Sequence, residues 1–422
     1  MDRRIIEEFN HWWIRGSVDP ELALPFKRDI YQALLENMDN RFIIALTGLR
    51  RIGKTTLMYQ LIQHLIESKV NPTDLFFFSF DEQASGLDEV IESYSELYNK
   101  DFRTARVYIF LDEVQKCGGN WINDIKKYYD LYPKLKFVIS GSESLFISKK
   151  TKEALAGRLL EFRLTTFSFP EYLRFNGVAE SQLAFETVVR PLFVKFITKG
   201  GFPETFSMQS EREFREYIRS IVVDKIIYKE IPKTFKVRDP EFLATLLELV
   251  ASNPGMYIDY QSLAKQFGKD RRVVKQYFDY LAKSFLITML SNYRRSAAAT
   301  LRKLKKAYPA DLALVYLYKP NPDDNFLGKI VESAIVNGMG AKFFWKGRYE
   351  VDIVSNGTPI EIKYQESIGN GDFRQIMEFI NKFGVKEGII VTKNDEQIVK
   401  YDGKSIKLVP AWKWLLSAPS MS

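Results

Sequence analysis

The stretch "RFIIALTGLRRIGKTT", residues 41–56, joins a short apolar run to a glycine-rich turn and the start of a helical pattern. The turn matches G-x-x-x-x-G-K-[ST] through Gly48, Gly53, Lys54 and Thr55. Glycines let backbone N–H groups curl around phosphate oxygens, and the N-terminus of the following helix adds its positive dipole. The stretch therefore predicts a phosphate-binding loop inside an α/β fold.

The loop predicts nucleotide contacts and one Mg²⁺ ligand. Lys54 can reach the β- and γ-phosphates of ATP, and the hydroxyl of Thr55 can bind Mg²⁺. The predicted nucleotide-binding residues are Gly48, Arg50, Arg51, Ile52, Gly53, Lys54, Thr55, Thr56 and, farther along the chain, Ser142.

Further apolar runs alternate with helical patterns after the loop. These runs are "DLFFFSF", "RVYIFL", "KFVISGS" and "LLEFRL". Strands separated by helices predict a parallel sheet with helices on both faces. The second run ends in Asp112-Glu113, where an acidic residue at the end of a buried parallel strand is expected to bind Mg²⁺. We expect Asp112 to hold the metal ion through water and Glu113 to activate the attacking water.

Two other polar positions near this sheet are candidates with open alternatives. In "SGSES", Ser142 or Ser140 is placed to sense the γ-phosphate, and a helix N-cap is an equal alternative. In "LAGR", Arg158 is a candidate catalytic residue that could stabilise the transition state in its own chain or in a neighbouring subunit. A structural salt bridge is the alternative for Arg158.

Composition narrows the class of protein and of metal site. The net charge of +8 and pI near 9.1 permit a polyanionic partner. Two histidines and one cysteine, Cys117, exclude a structural zinc site and an internal disulfide framework, so any metal is held by carboxylates and hydroxyls. The single cysteine, the charged N-terminus and the lack of a long apolar run predict a cytoplasmic protein without a membrane segment.

Several motifs together resemble a widespread prokaryotic family of AAA-type ATPases that is common in archaea. The motifs are "TGLRRIGKTT", "FLDEVQK", "ISGSES", "LAGR…FRL…FSFPEYL" and "GGFPE", and the resemblance extends over nearly the whole chain. It implies a P-loop sheet in which the sensing strand lies between the strands that carry Lys54 and Asp112, with Glu113 catalytic. Leu49 stands where the family loop usually has proline, a change that we expect to leave phosphate binding intact.

The middle of the chain predicts a winged helix. In "DYQSLAKQFGKDRRVVKQYFDYLAKSFLITML", two apolar helical faces flank Gly268 and a strand follows. The outward residues of the second helix, which predict DNA contact, include Lys269, Arg271, Arg272 and Lys275. A protein-contact module is the alternative. The nearby stretch "NYRRSAAATLRKLKKAYPAD" adds further basic residues, from Arg294 to Lys306.

The last hundred residues resemble the PD-(D/E)xK nuclease superfamily. "RYEVDIVSNGTPIEIKYQ", residues 348–365, places Asp352, Glu361 and Lys363 at the signature positions, and Glu332 lies on the preceding helix. Two carboxylates on adjacent strands can hold Mg²⁺, and a lysine beside them can position the attacking water. A solvated cross-strand ion pair is the alternative.

The predicted organisation has four parts: a P-loop NTPase domain with an N-terminal arm (1–175), a helical lid or connector (176–238), a winged-helix domain (239–320) and a small α/β nuclease-like domain (321–422). The predicted function is ATP hydrolysis with Mg²⁺, coupled to action on DNA. One alternative is a signal-transducing ATPase whose C-terminal half binds protein partners and does not cut. Another is a homo-oligomeric remodelling ATPase in which Arg158 acts across subunits.

Overall fold

The computed structural model describes residues 3–81, 86–141, 153–294 and 304–417. The chain separates into two units, residues 1–165 and 166–421. Within the described ranges, no helix combines the length and the apolar character that crossing a membrane requires.

The first unit contains short N-terminal helices and an alternation of strands with longer helices. Its helices are α1 (Arg3–Phe9), α2 (Trp12–Arg15), α3 (Tyr31–Glu36), α4 (Lys54–Glu67), α5 (Leu87–Tyr98) and α6 (Trp121–Leu131). Its strands are β1 (Ile43–Thr47), β2 (Leu75–Ser79), β3 (Val107–Asp112), β4 (Leu135–Gly141) and β5 (Leu159–Arg163).

The five strands form one parallel sheet in the order β2-β3-β4-β1-β5. Every residue of β1, β3 and β4 is buried, as the continuous apolar runs predict for the centre of a parallel sheet. Strand β4 lies between the strand that precedes the phosphate loop and the strand that ends at Asp112. The predicted P-loop sheet is therefore confirmed, including the inserted sensing strand.

The N-terminal segment, which the sequence predicts as an irregular arm, contains helices and covers the edge strand β2. The indole N–H groups of Trp12 and Trp13 both donate to the carbonyl of Leu75, at 3.1 and 2.9 Å. The amide of Asn10 donates to the carbonyl of Phe77 at 2.8 Å and accepts from its N–H at 2.7 Å. These contacts satisfy backbone groups that an edge strand would otherwise expose.

The second unit combines helices with ten further strands among its described residues. The helices are α7 (Phe169–Phe175), α8 (Glu186–Lys199), α9 (Glu211–Glu216), α10 (Ile231–Phe235), α11 (Pro240–Ser252), α12 (Tyr260–Phe267), α13 (Arg271–Lys283), α14 (Leu312–Tyr318), α15 (Asp324–Gly338), α16 (Arg374–Phe383) and α17 (Ala411–Ser417). The strands are β6 (Met256–Ile258), β7 (Ile287–Asn292), β8 (Lys305–Pro309), β9 (Phe343–Lys346), β10 (Glu350–Val351), β11 (Ile353–Ser355), β12 (Thr358–Lys363), β13 (Glu387–Thr392), β14 (Gln397–Tyr401) and β15 (Lys404–Pro410).

Helices α12 and α13 form a helix–turn–helix whose ends are set by local sequence. The carboxylate of Asp259 accepts from the N–H groups of Gln261 and Ser262, which starts α12. Gly268 ends it in the left-handed conformation, with φ of 62°. Asp270 then caps α13 by accepting from the N–H of Arg272 at 2.7 Å.

One sheet joins the strands on either side of the helix–turn–helix to strands from the C-terminal part of the chain. This sheet has the order β10-β9-β7-β8-β6, and β7 pairs with β9 in parallel through Ser291 and Phe343. The division predicted between residues 320 and 321 therefore does not separate two sheets. The predicted domain boundaries stay predictions, and the two compact units of the chain meet between residues 165 and 166.

The other sheet of the second unit has the order β11-β12-β13-β15-β14. Strands β11 and β12 are antiparallel and joined by Asn356-Gly357, with φ of 49° and 81°. Two adjacent positive φ angles are what a tight Asn-Gly hairpin turn requires. The predicted pair of strands around this turn is confirmed.

The motif "GGFPE" is explained by a buried carboxylate. Asp311 accepts hydrogen bonds from the N–H of Gly201 at 2.9 Å and of Ala313 at 2.8 Å. A Cβ at Gly200 would lie 2.1 Å from the Asp311 carboxylate, so a side chain there would push the carboxylate away from these two N–H groups. The sequence requires glycine at this position because Asp311 approaches the backbone so closely.

Candidate functional site

The phosphate loop connects β1 to α4 and holds its lysine by backbone contacts. The ammonium group of Lys54 donates to the carbonyls of Gly48 and Leu49, at 3.2 and 2.8 Å. Gly48 has φ of 146°, and a Cβ there would lie 2.2 Å from the carbonyl oxygen of Leu164. Gly53, with φ of 97°, opens α4. Both glycines of the motif therefore have positive φ, which non-glycine residues rarely adopt.

The loop contacts the acidic end of β3 directly. The hydroxyl of Thr55 donates to Asp112 Oδ2 at 2.8 Å, and Lys54 Nζ lies 3.8 Å from Glu113 Oε1. A hydroxyl and a carboxylate in contact are suitable oxygen ligands for Mg²⁺. The structure thus brings together the predicted Lys54, Thr55, Asp112 and Glu113.

Ser140 organises the acidic pair. This buried serine of β4 donates from its hydroxyl to Asp112 Oδ1 and accepts from the N–H of Glu113 at 3.1 Å. Ser140 therefore orients Asp112 and Glu113. Ser142, the other sensor candidate, lies outside the described residues.

Electrostatics at this strand end favour a cation. Asp112 is almost completely buried, and burial together with the neighbouring Glu113 raises the pKa of its carboxyl above the usual range. Hydrogen bonds from Ser140 and Thr55 act in the opposite direction. A bound divalent ion would offset the cost of keeping Asp112 ionised in this environment.

Other loop residues have different surroundings. Arg51 is exposed with φ of 61°, Arg50 and Thr56 are half-buried, and Ile52 is buried. The guanidinium of Arg28 donates to the carbonyls of Ile52 and Thr165, at 2.9 and 2.8 Å, and so fixes the loop to the chain that follows β5. Arg28 was not predicted, because no local pattern connects it to the loop.

Arg158 lies at the opposite end of the strands from the phosphate loop. The loop follows Thr47, which pairs with Arg163, whereas Arg158 precedes the pair formed by Ile43 and Leu159. Roughly 13 Å of strand separates these ends. Arg158 forms an ion pair with Asp130 at 3.1 Å. The ion pair fits the structural salt bridge, and a catalytic role, in the same chain or across a subunit interface, stays a prediction.

The predicted nuclease-like residues converge in the second unit. Lys363 Nζ lies 3.0 Å from Glu361 Oε1 on β12, and Asp352 Oδ2 accepts from the N–H of Ile362 at 2.9 Å. Burial and the nearby Asp352 raise the pKa of Glu332 and, to well above its usual range, that of Glu361. Glu361 is only 4% exposed, so the pair with Lys363 is not a solvated surface pair.

Three residues that the sequence did not single out as site residues complete this acidic cluster. Lys306 Nζ lies 3.1 Å from Glu332 Oε1 and 2.7 Å from Glu350 Oε1, and the hydroxyl of Tyr308 donates to Glu332 Oε1. Burial and Asp352 raise the pKa of Glu350 to about 8. Lys306 belongs to the basic stretch near the predicted winged helix, but it is buried. Lys306 and Tyr308 are two positions apart on β8 and therefore face the same side of the strand, which was the sequence signal that could have indicated burial of Lys306.

Two observations bear on metal binding by the acidic cluster. Glu350 Oε2 and Glu361 Oε2 are buried and have no hydrogen-bond partner in the structure. Among the described residues, no three His, Cys, Asp or Glu side chains converge so as to chelate a metal ion together. Carboxylate oxygens suit Mg²⁺, but in this arrangement the ammonium of Lys306 lies among them.

The predicted DNA-contacting residues lie on or just before α13. Arg271, Arg272 and Lys275 are exposed. Lys269 is exposed as well but forms an ion pair with Asp239 at 2.6 Å. Of the basic residues that follow, Arg295, Arg302 and Lys303 lie outside the described residues.

Comparisons with known proteins cover both units. Residues 40–173 match the family model "AAA domain", and residues 190–324 match "Domain of unknown function (DUF8612)". A Haemophilus influenzae protein is 22% identical over 302 residues, covering 69% of this chain and 73% of the relative. A Methanocaldococcus jannaschii protein is 24% identical over 408 residues, covering 89% and 82%. Both relatives are described as uncharacterized proteins.

Solved structures resemble the chain only distantly. The Aeropyrum pernix ORC1 protein in complex with DNA gives a TM-score of 0.32 at 13% identity, covering 72% of this chain and 97% of that one. A RuvB variant of Thermotoga maritima gives 0.31 at 14% identity, covering 71% and 93%. The family match, together with the strand order, identifies residues 40–173 as a AAA-type P-loop ATPase domain.

Proposed function

We propose that the first unit binds ATP with Mg²⁺ and hydrolyses it. The hydrogen bond of 2.8 Å between Thr55 and Asp112 carries this proposal, because it joins the phosphate loop to the acidic strand end. In this arrangement Lys54 holds the β- and γ-phosphates, while Thr55 and Asp112 hold Mg²⁺. Mg²⁺ supplies positive charge against the phosphate oxygens.

Glu113 is the proposed base for the attacking water. Its carboxylate lies 3.8 Å from Lys54 and accepts a hydrogen bond from the amide of Gln115. Phosphate that binds Lys54 would replace its contact with Glu113 and leave the carboxylate to orient water.

ATP turnover by the full chain tests this assignment. Lys54→Ala is expected to abolish hydrolysis, and Glu113→Gln to retain ATP binding while hydrolysis stops. Wild-type hydrolysis by Glu113→Gln would show that another group is the base. Arg103→Ala, an exposed residue before β3, serves as the control and is expected to turn over ATP at the wild-type rate.

We also propose that the second unit acts on DNA through a winged helix. The helix–turn–helix α12–α13 precedes the antiparallel pair β7–β8, with β6 on the other side of β8, and this order of elements supports the proposal. Exposed Arg271, Arg272 and Lys275 supply positive charge along one helix. Phosphate contacts of this kind make binding fall steeply with salt concentration.

A metal-dependent nuclease centre at the acidic cluster is the second part of that proposal. The convergence of Glu332, Asp352, Glu361 and Lys363 supports it, and so does the buried, unpartnered Glu361 Oε2. Asp352 and Glu361 would hold Mg²⁺, which supplies Lewis-acid chemistry when bound. Lys363 would position the attacking water beside them.

Incubating the full chain with DNA and Mg²⁺ or Mn²⁺ tests the nuclease. Asp352→Ala is expected to eliminate cleavage, because one of the two predicted ligands is lost. Cleavage that survives this change would come from another site. Asp324→Ala, an exposed carboxylate at the start of α15, is the matched control and is expected to cut normally.

The alternative of a signal-transducing ATPase remains distinct in its behaviour. It predicts that the chain binds a protein partner with an affinity insensitive to salt, and that it does not cleave DNA with any divalent metal ion. A homo-oligomeric remodelling ATPase, with Arg158 acting across subunits, is a separate alternative. A cytoplasmic location stays a prediction.

A further inference from the structure

The most unusual group in the acidic cluster is a buried ammonium. Lys306 has a side chain only 4% exposed, and its Nζ lies 3.1 Å from Glu332, 2.7 Å from Glu350 and 3.6 Å from Asp352. The amine is therefore a cation held among three carboxylates.

The cluster holds more carboxylates than ammonium groups. Its carboxylates belong to Glu332, Glu350, Asp352 and Glu361, and its ammonium groups belong to Lys306 and Lys363. Four negative and two positive groups leave a formal charge of −2 when all are ionised. One divalent ion would neutralise that charge.

Two carboxylate oxygens of the cluster have no hydrogen-bond partner among the described residues. Lys306 contacts Oε1 of Glu332 and Oε1 of Glu350, whereas Oε2 of Glu350 and Oε2 of Glu361 have no hydrogen-bond partner. An ammonium and a divalent ion compete for the same carboxylate oxygens, because both need them at short distance. Lys306 therefore excludes a metal ion from the oxygens that it contacts and leaves the other two available.

We propose that Lys306 permanently occupies one cation position of the acidic cluster, so that removing its charge creates one additional divalent-ion site. The inference rests on the metal-binding role proposed above for Asp352 and Glu361. It adds that this role uses one divalent ion beside a protein-supplied cation. In that arrangement Lys306 offsets the negative charge of a phosphodiester that a second metal ion would otherwise offset.

Counting Mn²⁺ ions on the full chain tests the proposal without relying on cleavage. Calorimetric titration and the spin resonance of free Mn²⁺, both without nucleotide, give the number bound. Asp112→Asn in every protein removes binding at the first unit. Lys306→Met, which has similar length and no charge, is expected to bind one Mn²⁺ more than its parent, and with at least about tenfold greater overall affinity.

Two further variants make the comparison specific. Lys305→Met changes the neighbouring, half-buried lysine of β8 and is expected to keep the parental count. Lys306→Arg keeps the charge and is expected to keep it as well. If Lys306→Met does not fold, Lys306→Gln, which is also uncharged and keeps all four carboxylates, is the replacement and is expected to gain the ion.

The outcomes separate this inference from the proposed nuclease. An unchanged count and affinity in a folded Lys306→Met protein would overturn the role of Lys306. An extra ion in Lys306→Arg would overturn it too. If the parent binds no Mn²⁺ that Asp352→Asn removes, while Lys306→Met binds one, the metal-dependent nuclease fails and Lys306 stands as the only cation in its position.

Discussion

Replacing Ser140 by alanine should slow ATP hydrolysis while leaving ATP binding largely intact. The serine hydroxyl holds both acidic residues at the end of β3, since it donates to Asp112 and accepts from the N–H of Glu113. In the phosphate loop, Lys54 donates to the carbonyls of Gly48 and Leu49, and Thr55 donates to Asp112, so neither residue depends on the Ser140 hydroxyl for these hydrogen bonds. The substitution therefore separates the orientation of the acidic pair from the binding of phosphate.

The size of the effect follows from the two hydrogen bonds that are lost. A hydrogen bond to a charged group contributes about 1.5–3 kcal/mol, and Asp112 keeps its other bond to Thr55. If that energy is expressed in the transition state, kcat falls by roughly 10- to 100-fold. Losing the hydroxyl also removes a contact that lowers the pKa of Asp112, so a higher Mg²⁺ concentration should be needed.

The assay is steady-state ATP hydrolysis over a range of Mg²⁺ concentrations, together with equilibrium binding of a labelled ATP analogue. Ser333→Ala is a matched control, because Ser333 is also completely buried and its hydroxyl donates to a backbone carbonyl in the second unit. A folded Ser140→Ala protein with wild-type kcat and unchanged Mg²⁺ dependence would refute the positioning role. A large loss of ATP binding would instead return Ser140 to the role of a phosphate contact.

Two further predictions concern the second unit. Asp311→Ala should lower the free energy of unfolding by about 3 kcal/mol or more, because the buried N–H groups of Gly201 and Ala313 lose their acceptor. In the same urea denaturation assay, exposed Asp324→Ala should change the free energy of unfolding by less than about 0.5 kcal/mol. Equal effects of the two substitutions would contradict the structural role of Asp311. The double substitution Arg271→Ala and Arg272→Ala should weaken DNA binding and reduce the slope of log affinity against log salt by about 1 for each lost phosphate contact. The matched double substitution of the exposed residues Arg212→Ala and Arg215→Ala should leave both the affinity and the slope unchanged. An unchanged slope would favour the protein-binding alternative.

Local sequence signals predicted the parts of the molecule that depend on near neighbours. The phosphate loop, helix Lys54–Glu67, the helix–turn–helix and the Asn-Gly hairpin each rest on residues within a few positions of one another. Glycines with positive φ and Asp caps act through the backbone beside them, so their effect is visible in a short window. The predicted strand order depended on the family resemblance.

Contacts between distant segments were decided by the tertiary structure alone. Lys306 was grouped with the basic residues near the winged helix, but β8 carries it to carboxylates that follow it by 26 and 44 residues. Arg158 ends the motif "LAGR", which suggested catalysis, and strand register places it at the end of the strands away from the phosphate loop. A charged side chain has the same appearance in sequence whether it is exposed or buried. Its surroundings depend on which strands pair and in which register, and that pairing is determined by the packing of the whole core.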